Sequence, residues 1–428
     1  MIKEKLRIIF LHLKDISYKG FFYLLSANFL ITFLSFGSQL LVVKILSPAD
    51  LGRIKTMQSI ISLVSIFAGL GLNTAVLKNC SDLKIGKDDI ELLKNSIIIT
   101  LIPSSIIILI VYILSFYNLI SPDNIINKTM RLYVFLIPTS VISTLILTYY
   151  QAKKKIKKVS YIQSIIKISG MLLIVLMSYY WSLYGFIYAN LIVGLLSVSI
   201  LYLMIRPGFK KGIELLKYWK INFQISKWSM LNNGLGTFQN YADLYVMNYF
   251  LTDRSEIGIY SLAKIFILGL SLVTTTVQNI STPYFSEKSE NKIEYKRVLF
   301  KYQKLLLLIT GILAISAWFI SPLFIRLIFG DEYINSIIYF RLLLFKYFLW
   351  SGYSLYGSAL IGIGELKYNF IYSFIGFISS LTLSVIFIER FQVKGAAYAQ
   401  IGVALIIFTI YNFTINKIIK NHFKNNKN

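Results

Sequence analysis

The chain has 428 residues, 56% of them hydrophobic and 15% charged, with a mean hydropathy of +0.66, an apolar excess that a water-soluble domain does not hide in its core. Its 44 Lys and Arg against 19 Asp and Glu leave a net charge of +25, which in so apolar a chain points to cytoplasmic loops and anionic lipid; nucleic acid is excluded as a partner because the basic residues gather in no segment long enough to fold alone. One cysteine, Cys80, and two histidines, His12 and His422, near opposite ends exclude a disulfide framework and any multi-cysteine metal centre, so no metal and no cofactor are expected.

A helix crossing about 30 Å of hydrocarbon needs about 20 mostly apolar residues. Twelve runs of that kind predict helices over 22-45, 54-76, 95-117, 132-152, 159-181, 185-205, 228-251, 257-284, 302-320, 337-361, 368-388 and 395-416. The start is basic, as in a signal peptide, but the run from Phe21 to Val43 is longer than an h-region and shows no small-residue cleavage site, so it is expected to be retained as the first span. Only Ser182, Leu183 and Tyr184 separate the fifth and sixth runs, with Gly185 as the expected breaker.

Lys and Arg set the orientation, because cytoplasmic loops hold their excess. With the N-terminus inside, the loops on that side carry 31 of the 44 basic residues and the opposite side, counting near-interface Lys44 and Lys55, carries nine. Both termini are therefore expected in the cytoplasm. The block Lys153, Lys154, Lys155, Lys157 and Lys158 reads as an orienting, headgroup-contacting loop.

A shift of 210 residues lays Gly185, Tyr188 and Ala189 over Gly395, Tyr398 and Ala399, and Lys157 over Lys367, without a gap from about 151 to 205. Earlier in the chain, shifts of 204 to 206 lay Asn28 over Asn232, Gln39 over Asp243 and Gly52 over Gly258. The chain thus reads as two six-span halves, 1-210 and 211-428. Six is even, so both halves start on the same face and are related by an axis along the membrane normal, as in parallel-repeat transporters.

Ionised side chains inside the bilayer cost at least about 2.5–3.5 kcal/mol on insertion scales and should face protein or water. Asp243 alone among the acids falls well within a span, and Lys264 sits at similar depth in the next one, so the two can pair. Gly236, Asn240, Asp243 and Met247 recur at helical spacing, with Asn232, Asn233 and Gln239 nearby, which gives one side of this helix the small, polar character of a cavity wall. Asp243, with Asn240 and Gln239, is either a proton or sodium coupling site or one half of a structural ion pair. Lys167, Lys264 and Lys346, with Arg341 nearer the outer surface, form a set of cations suited to a diphosphate or an acidic sugar; taken singly, each also fits a structural or snorkelling role. Most of the 30 tyrosines and five tryptophans sit where interfacial belts sit.

No phosphate-binding loop of the Gly-x-x-x-x-Gly-Lys-Ser/Thr type occurs, so nucleotide is not hydrolysed by that route. Paired carboxylates, a nucleophile elbow and a long outer loop for polymerisation chemistry are also lacking, which argues against an enzyme.

The stretch Asn240 to Leu251, followed by Glu256, Gly258, Tyr260 and Ala263, resembles the junction of the seventh and eighth spans in polysaccharide-unit flippases of the Wzx type, members of the multidrug/oligosaccharidyl-lipid/polysaccharide exporter superfamily. Ser321-Pro322 through Gly330-Asp331-Glu332-Tyr333 resembles that family's outer segment after the ninth span, and Leu46 to Gly52 its first outer loop. The resemblance covers almost the whole chain. It implies an all-α membrane protein of twelve helices in two six-helix lobes forming a V, like a multidrug exporter. It also implies a cationic cavity, and flipping of an undecaprenyl-diphosphate-linked oligosaccharide across the bacterial inner membrane for O-antigen, capsule or a related polymer, alongside a polysaccharide polymerase. Asp243 matches the family's frequent acidic position; the basic residue that usually follows it is Leu244 here. Three alternatives remain: a drug/cation antiporter, which would favour acidic and aromatic cavity walls; a major-facilitator symporter, whose Asp- and Arg-rich signature is not seen between Lys78 and Lys94; and a membrane glycosyltransferase or polymerase.

Overall fold

The computed structural model describes residues 21–81, 89–205 and 218–425. The basic positions expected within 1–20, 82–88 and 206–217, the boundary between residues 210 and 211, and the side chains of Asn28 and Lys157 lie outside the described residues. Among those described there are thirteen α-helices, one 3-10 turn and no strands. In chain order the helices are α1 (Phe21–Ile45), α2 (Pro48–Gly69), α3 (Leu72–Ser81), α4 (Asp89–Phe116), α5 (Asn124–Tyr133), α6 (Leu136–Ala152), α7 (Ile156–Ile205), α8 (Trp219–Phe250), α9 (Arg254–Glu287), α10 (Lys292–Phe329), α11 (Ser336–Ser351), α12 (Ser354–Gly362) and α13 (Leu366–Asn425), with the 3-10 turn at Asp331–Tyr333.

Local sequence starts and stops these helices. Ser47 caps α2 by accepting from the Asp50 N–H at 3.2 Å, with Pro48 at the first turn, where a missing N–H costs nothing. Asp123, Asp253 and Asn291 cap α5, α9 and α10 in the same way. α2 ends on Leu70 in the left-handed region, Gly71 follows at φ +64°, and α3 leaves at an angle of 50°. α5 and α6 meet at 44°. Five helices are long and apolar enough to cross a membrane, or seven if each bent pair is one span.

The fifth and sixth predicted runs share α7, and the last two share α13. Each of these helices folds back on itself at a residue of positive φ: Ser182 at φ 46°, ψ −127°, preceded by non-helical Trp181, and Gln392 at φ 51°, ψ −131°. The expected breaker, Gly185, is not the turning residue; it is already helical in the returning arm. Its role is close approach, since a Cβ there would lie 1.8 Å from the Met177 carbonyl oxygen. Gly395 stands 1.9 Å by the same measure from the Phe387 carbonyl. The turning residue, the glycine and the carbonyl it faces all recur at the 210-residue offset.

Buried apolar side chains form one core drawn from residues between Val42 and Tyr218. Two further cores come from residues between Leu244 and Phe423, with Val43 and Leu51 contributed from the first half. α1 packs on α7 as α8 packs on α13, and the halves meet where α2 lies on α9 and on α8. α9 is central, with 56% of its apolar window buried, against 17% for the peripheral α10. Exposed Leu, Ile and Phe on α4, α7 and α10 give those helices the outward face that lipid requires.

Candidate functional site

The halves touch most closely at a glycine crossing. Gly52 on α2 and Gly258 on α9 let the two backbones meet: a Cβ on Gly258 would fall 1.8 Å from the Pro48 carbonyl oxygen, and one on Gly52 would fall 2.1 Å from that of Arg254. An ionic cluster seals the same end. Arg53 donates to Asp123 at 2.9 Å and also holds Asp50, and buried Arg254 faces Asp123 at 3.6 Å while donating to the Asn248 carbonyl and to Ser121. Burial opposes ionisation of Asp123, but the Arg53 hydrogen bond, the Ile125 N–H and the two guanidinium charges outweigh it and hold its carboxyl below the usual carboxylate range. At the other end neutral side chains join the halves: Asn79 donates to Asn222 at 2.8 Å, and Thr74 and Ser229 share a hydrogen bond at 2.6 Å.

Between these ends, against α8, α9, α11 and α13, lies a cavity of about 560 Å³. Its polar wall includes Gln39 and Lys55 from the first half and Gln239, Asn240, Lys264 and Lys346 from the second. Lys264 donates to both oxygens of Asp243 at 2.9 Å and to the Asn240 carbonyl at 3.0 Å. Tyr260, one helical turn before Lys264 on the same face of α9, donates to Asp243 at 2.6 Å, and the Leu244 N–H closes the shell at 2.9 Å. The ammonium of Lys264 also sits 5.5 Å from the Tyr241 ring centre. Asp243 is fully buried and stands behind this wall, with Lys264 between it and the cavity.

Asp243 and Lys264 pair as their depths suggested, and Asn240 and Gln239 lie beside them. Gln239 reaches the cavity over Gly376, where any Cβ would lie 2.6 Å from its side-chain oxygen. Lys346 reaches the same cavity and has no hydrogen-bond or ion-pair partner among the described residues. The structure does not bring Lys167 or Arg341 to the wall. Lys167 is exposed on α7 and does not line this cavity. Arg341 is held 4.9 Å over the Trp318 ring and donates to the Trp318 carbonyl, a packing role consistent with its place near a helix end.

Lys55 was assigned to the interface, yet its ammonium donates to Gln39 at 2.7 Å inside the cavity. The repeat gave half of the signal: Gln39 aligns with Asp243, but at the offset that lays Gly52 over Gly258 Lys55 falls on Ser261, one turn before Lys264, so the acceptor was legible there and the lysine was not. Three lysines thus face one carboxylate, and Lys264 lies within electrostatic reach of both Lys55 and Lys346. An enclosed wall with surplus cations favours a polyanion over a cationic ligand, because each ammonium donates three hydrogen bonds and accepts none.

A family described as polysaccharide biosynthesis protein matches residues 41–338. A probable low-salt glycan biosynthesis flippase of Haloferax volcanii is 24% identical over 389 residues, covering 88% of this chain and 77% of the relative. A capsular polysaccharide biosynthesis protein of Staphylococcus aureus is 25% identical over 402 residues, covering 89% and 94%. Among solved structures, the lipid II flippase MurJ in an inward closed conformation aligns with TM-score 0.76 at 16% identity, covering 94% of this chain and 90% of that one. An inward-facing multidrug resistance transporter of the MATE family aligns at 0.72 with 13% identity, covering 92% and 96%. The fold is therefore the one these exporters share.

Proposed function

The chain belongs to the polysaccharide biosynthesis protein family, and from that premise we propose that it is a flippase for lipid-linked saccharides, carrying an undecaprenyl-diphosphate-linked oligosaccharide across the bacterial inner membrane. It is a transporter rather than an enzyme. The observation that carries the reading is the cavity: Lys55, Lys264 and Lys346 against the single carboxylate of Asp243, a surplus of positive charge suited to a diphosphate. The names of the Haloferax and Staphylococcus relatives support a saccharide cargo.

The molecule works as two six-helix lobes, 1-210 and 211-428, twelve spans in all, with both termini cytoplasmic. The twin fold-backs at Ser182 and Gln392 and the separate cores support that division. Rocking about the Gly52–Gly258 crossing opens the cavity alternately to each side while the polyprenyl tail stays in the bilayer. When the diphosphate arrives it competes with Asp243 for Lys264; the released carboxylate then takes up a proton or sodium ion, which couples flipping to a gradient. The product feeds a polysaccharide polymerase.

The test is movement of a fluorescent undecaprenyl-diphosphate oligosaccharide in proteoliposomes holding this protein alone, with and without an imposed ion gradient. Protein-dependent loss of protection is the expected result. Efflux of a soluble cation with no movement of the lipid would assign the antiporter reading instead. Asp243→Asn is expected to abolish gradient dependence; if it kept both flipping and gradient response, the coupling step would be wrong.

A further inference from the structure

Next to the lysine cavity, the second half holds another hollow of about 680 Å³ whose chemistry is different. It lies between the last turns of α9, the whole of α12 and the first turns of α13. Its polar wall is made of Gln278, Asn279, Thr282, Ser354, Ser358 and Asn369, and no Asp, Glu, Lys, Arg or His among the described residues lines it. Ser373 and Tyr411 belong to both hollows, so a ligand can reach from one into the other past Tyr411. We propose that this vestibule is the subsite for an uncharged sugar of the substrate, separate from the lysine cavity, which takes the diphosphate; the assignment rests on the flippase reading above.

The bonding of these groups leaves them suited to hydroxyls. Gln278 donates to the Ser354 carbonyl at 2.9 Å, which keeps its side-chain oxygen free to accept. Asn369 donates to the Gly357 carbonyl and accepts from the Tyr411 hydroxyl, both at 3.1 Å, leaving one N–H and one lone pair. Asn279 makes no hydrogen bond among the described residues, so its whole carboxamide is available. Sugar hydroxyls both donate and accept, as do amides and hydroxyls, whereas a phosphate or carboxylate only accepts and needs a cation to repay its lost water. That cation is present around Lys55, Lys264 and Lys346 and missing here.

Tyr411 supplies the apolar element of the subsite. It stacks on Tyr353 at 5.5 Å and 15°, packs on Tyr372 and Tyr356, and is buried, a rigid aromatic wall between the two hollows rather than an open stacking face. The hollow at the matching place of the first half, lined by Asn73, Ser140 and Thr144 with Asn233, is smaller, about 200 Å³. The saccharide is therefore held by the second half while the diphosphate is shared between both.

The test uses the full chain in nanodiscs and three probes: undecaprenyl diphosphate alone, the same lipid bearing one N-acetylglucosamine, and the same lipid bearing one hexuronic acid. Affinities come from competition against a fluorescent undecaprenyl diphosphate. The neutral sugar is expected to improve binding about tenfold over the bare lipid and the hexuronic acid to add nothing, the gain of two or three net hydrogen bonds. Asn279→Leu combined with Thr282→Val should erase the tenfold bonus and leave the bare lipid unchanged, whereas Lys346→Met should weaken all three probes. Equal affinity for the bare and neutral-sugar lipids, an undiminished bonus in the Asn279 variant, or an equal bonus from the hexuronic acid overturns the subsite. If no diphosphate lipid binds, the flippase reading falls. The subsite is then judged by saturation transfer from the protein to the free methyl glycoside of N-acetylglucosamine: transfer that Asn279→Leu removes upholds it, and no transfer overturns it.

Discussion

The first half of the molecule presents Lys55 to a neutral amide, Gln39, and the second presents Lys264 to a carboxylate, Asp243. Gln39 and Asp243 occupy matching places in the repeat, 204 residues apart, so the acceptor sits at the same point of a repeated helical frame and differs in charge and by one methylene in length. The difference decides what each lysine is free to do. Lys264 is neutralised in a closed shell with Tyr260 and the Leu244 N–H, so a ligand must displace an ion pair to recruit it. Lys55 gives up one neutral hydrogen bond. The repeat thus places the acceptor, the lysine comes to it from a position one turn away in each half, and the acceptor's charge sets whether the cation is in reserve or already available.

The largest expected effect tests that contrast in stability. Lys264→Met leaves a fully buried carboxylate with only Tyr260 and one N–H, and removing one member of such a pair costs about 3–5 kcal/mol. Lys55→Met removes a bond to an amide and costs about 1 kcal/mol. Thermal unfolding in detergent should show the first variant far below the second, and adding Asp243→Asn to Lys264→Met should recover most of the loss. Equal losses for the two single variants would break the comparison. Next in size is the crossing that joins the halves. Gly258→Ala forces a methyl into the Pro48 carbonyl, and overpacking of this kind costs about 1–3 kcal/mol. Its counterpart Gly185→Ala, against Met177 in the α7 fold-back, should destabilise comparably but leave flipping per folded molecule intact, since it lies away from the contact between halves.

A third expectation sharpens the comparison by making the halves alike. Gln39→Glu gives Lys55 a carboxylate, lowers the net charge of the cavity wall by one, and should weaken binding of undecaprenyl diphosphate by about tenfold, or about 1.4 kcal/mol. Folding stability should change little, since the lysine keeps an acceptor of the same shape. Competition binding in nanodiscs reads the affinity, and an unchanged affinity would mean that Lys55 does not meet the ligand.

Much of this was legible in the sequence. The apolar runs fall on helical backbone, because periodicity and length carry the signal for buried helices without any knowledge of packing, but 54-76, 132-152 and 337-361, each expected as one helix, are each broken into two. The Asp243–Lys264 pair was legible from depth alone, since two charges at one level of adjacent helices have few other partners. What the sequence withheld depended on direction rather than depth. Lys167 and Lys346 are equally deep by position, yet Lys346 on α11 lines the cavity and Lys167, exposed on α7, does not, a distinction set by which neighbour each helix packs against. Lys55 looked interfacial because it lies in the second turn of α2; the glycine crossing beside it draws that turn inward. The fold-back at Ser182 escaped because a single serine in the left-handed region has no composition signal, whereas Gly185, which does, serves the approach of the two arms.

The smallest effect concerns the two ends, one ionic and one neutral. The Asp123 carboxyl is held below the usual carboxylate range by Arg53, Ile125 and Arg254 against the pull of burial. A depressed value means that its contribution to closing that end is fully present above the unfolded value of about 4 and is lost only as pH falls through the lower folded value. Closure should therefore be constant from about pH 5 to about pH 8, which separates it from any pH response of transport arising at Asp243. Spin labels at Tyr117 and Leu327, both exposed near that end, should give one distance distribution across this range. Asp123→Asn should broaden the distribution at every pH, by no more than about a fivefold change in the open population, because a partly solvated ion pair contributes at most about 1 kcal/mol. The Asn79–Asn222 hydrogen bond joins two neutral amides, so Asn222→Ala should loosen the opposite end equally at every pH in this range. A distance at the Asp123 end that shifts between pH 6 and pH 7 would mean that a different titrating group controls closure, and the contrast between an ionic and a neutral end would lose its meaning.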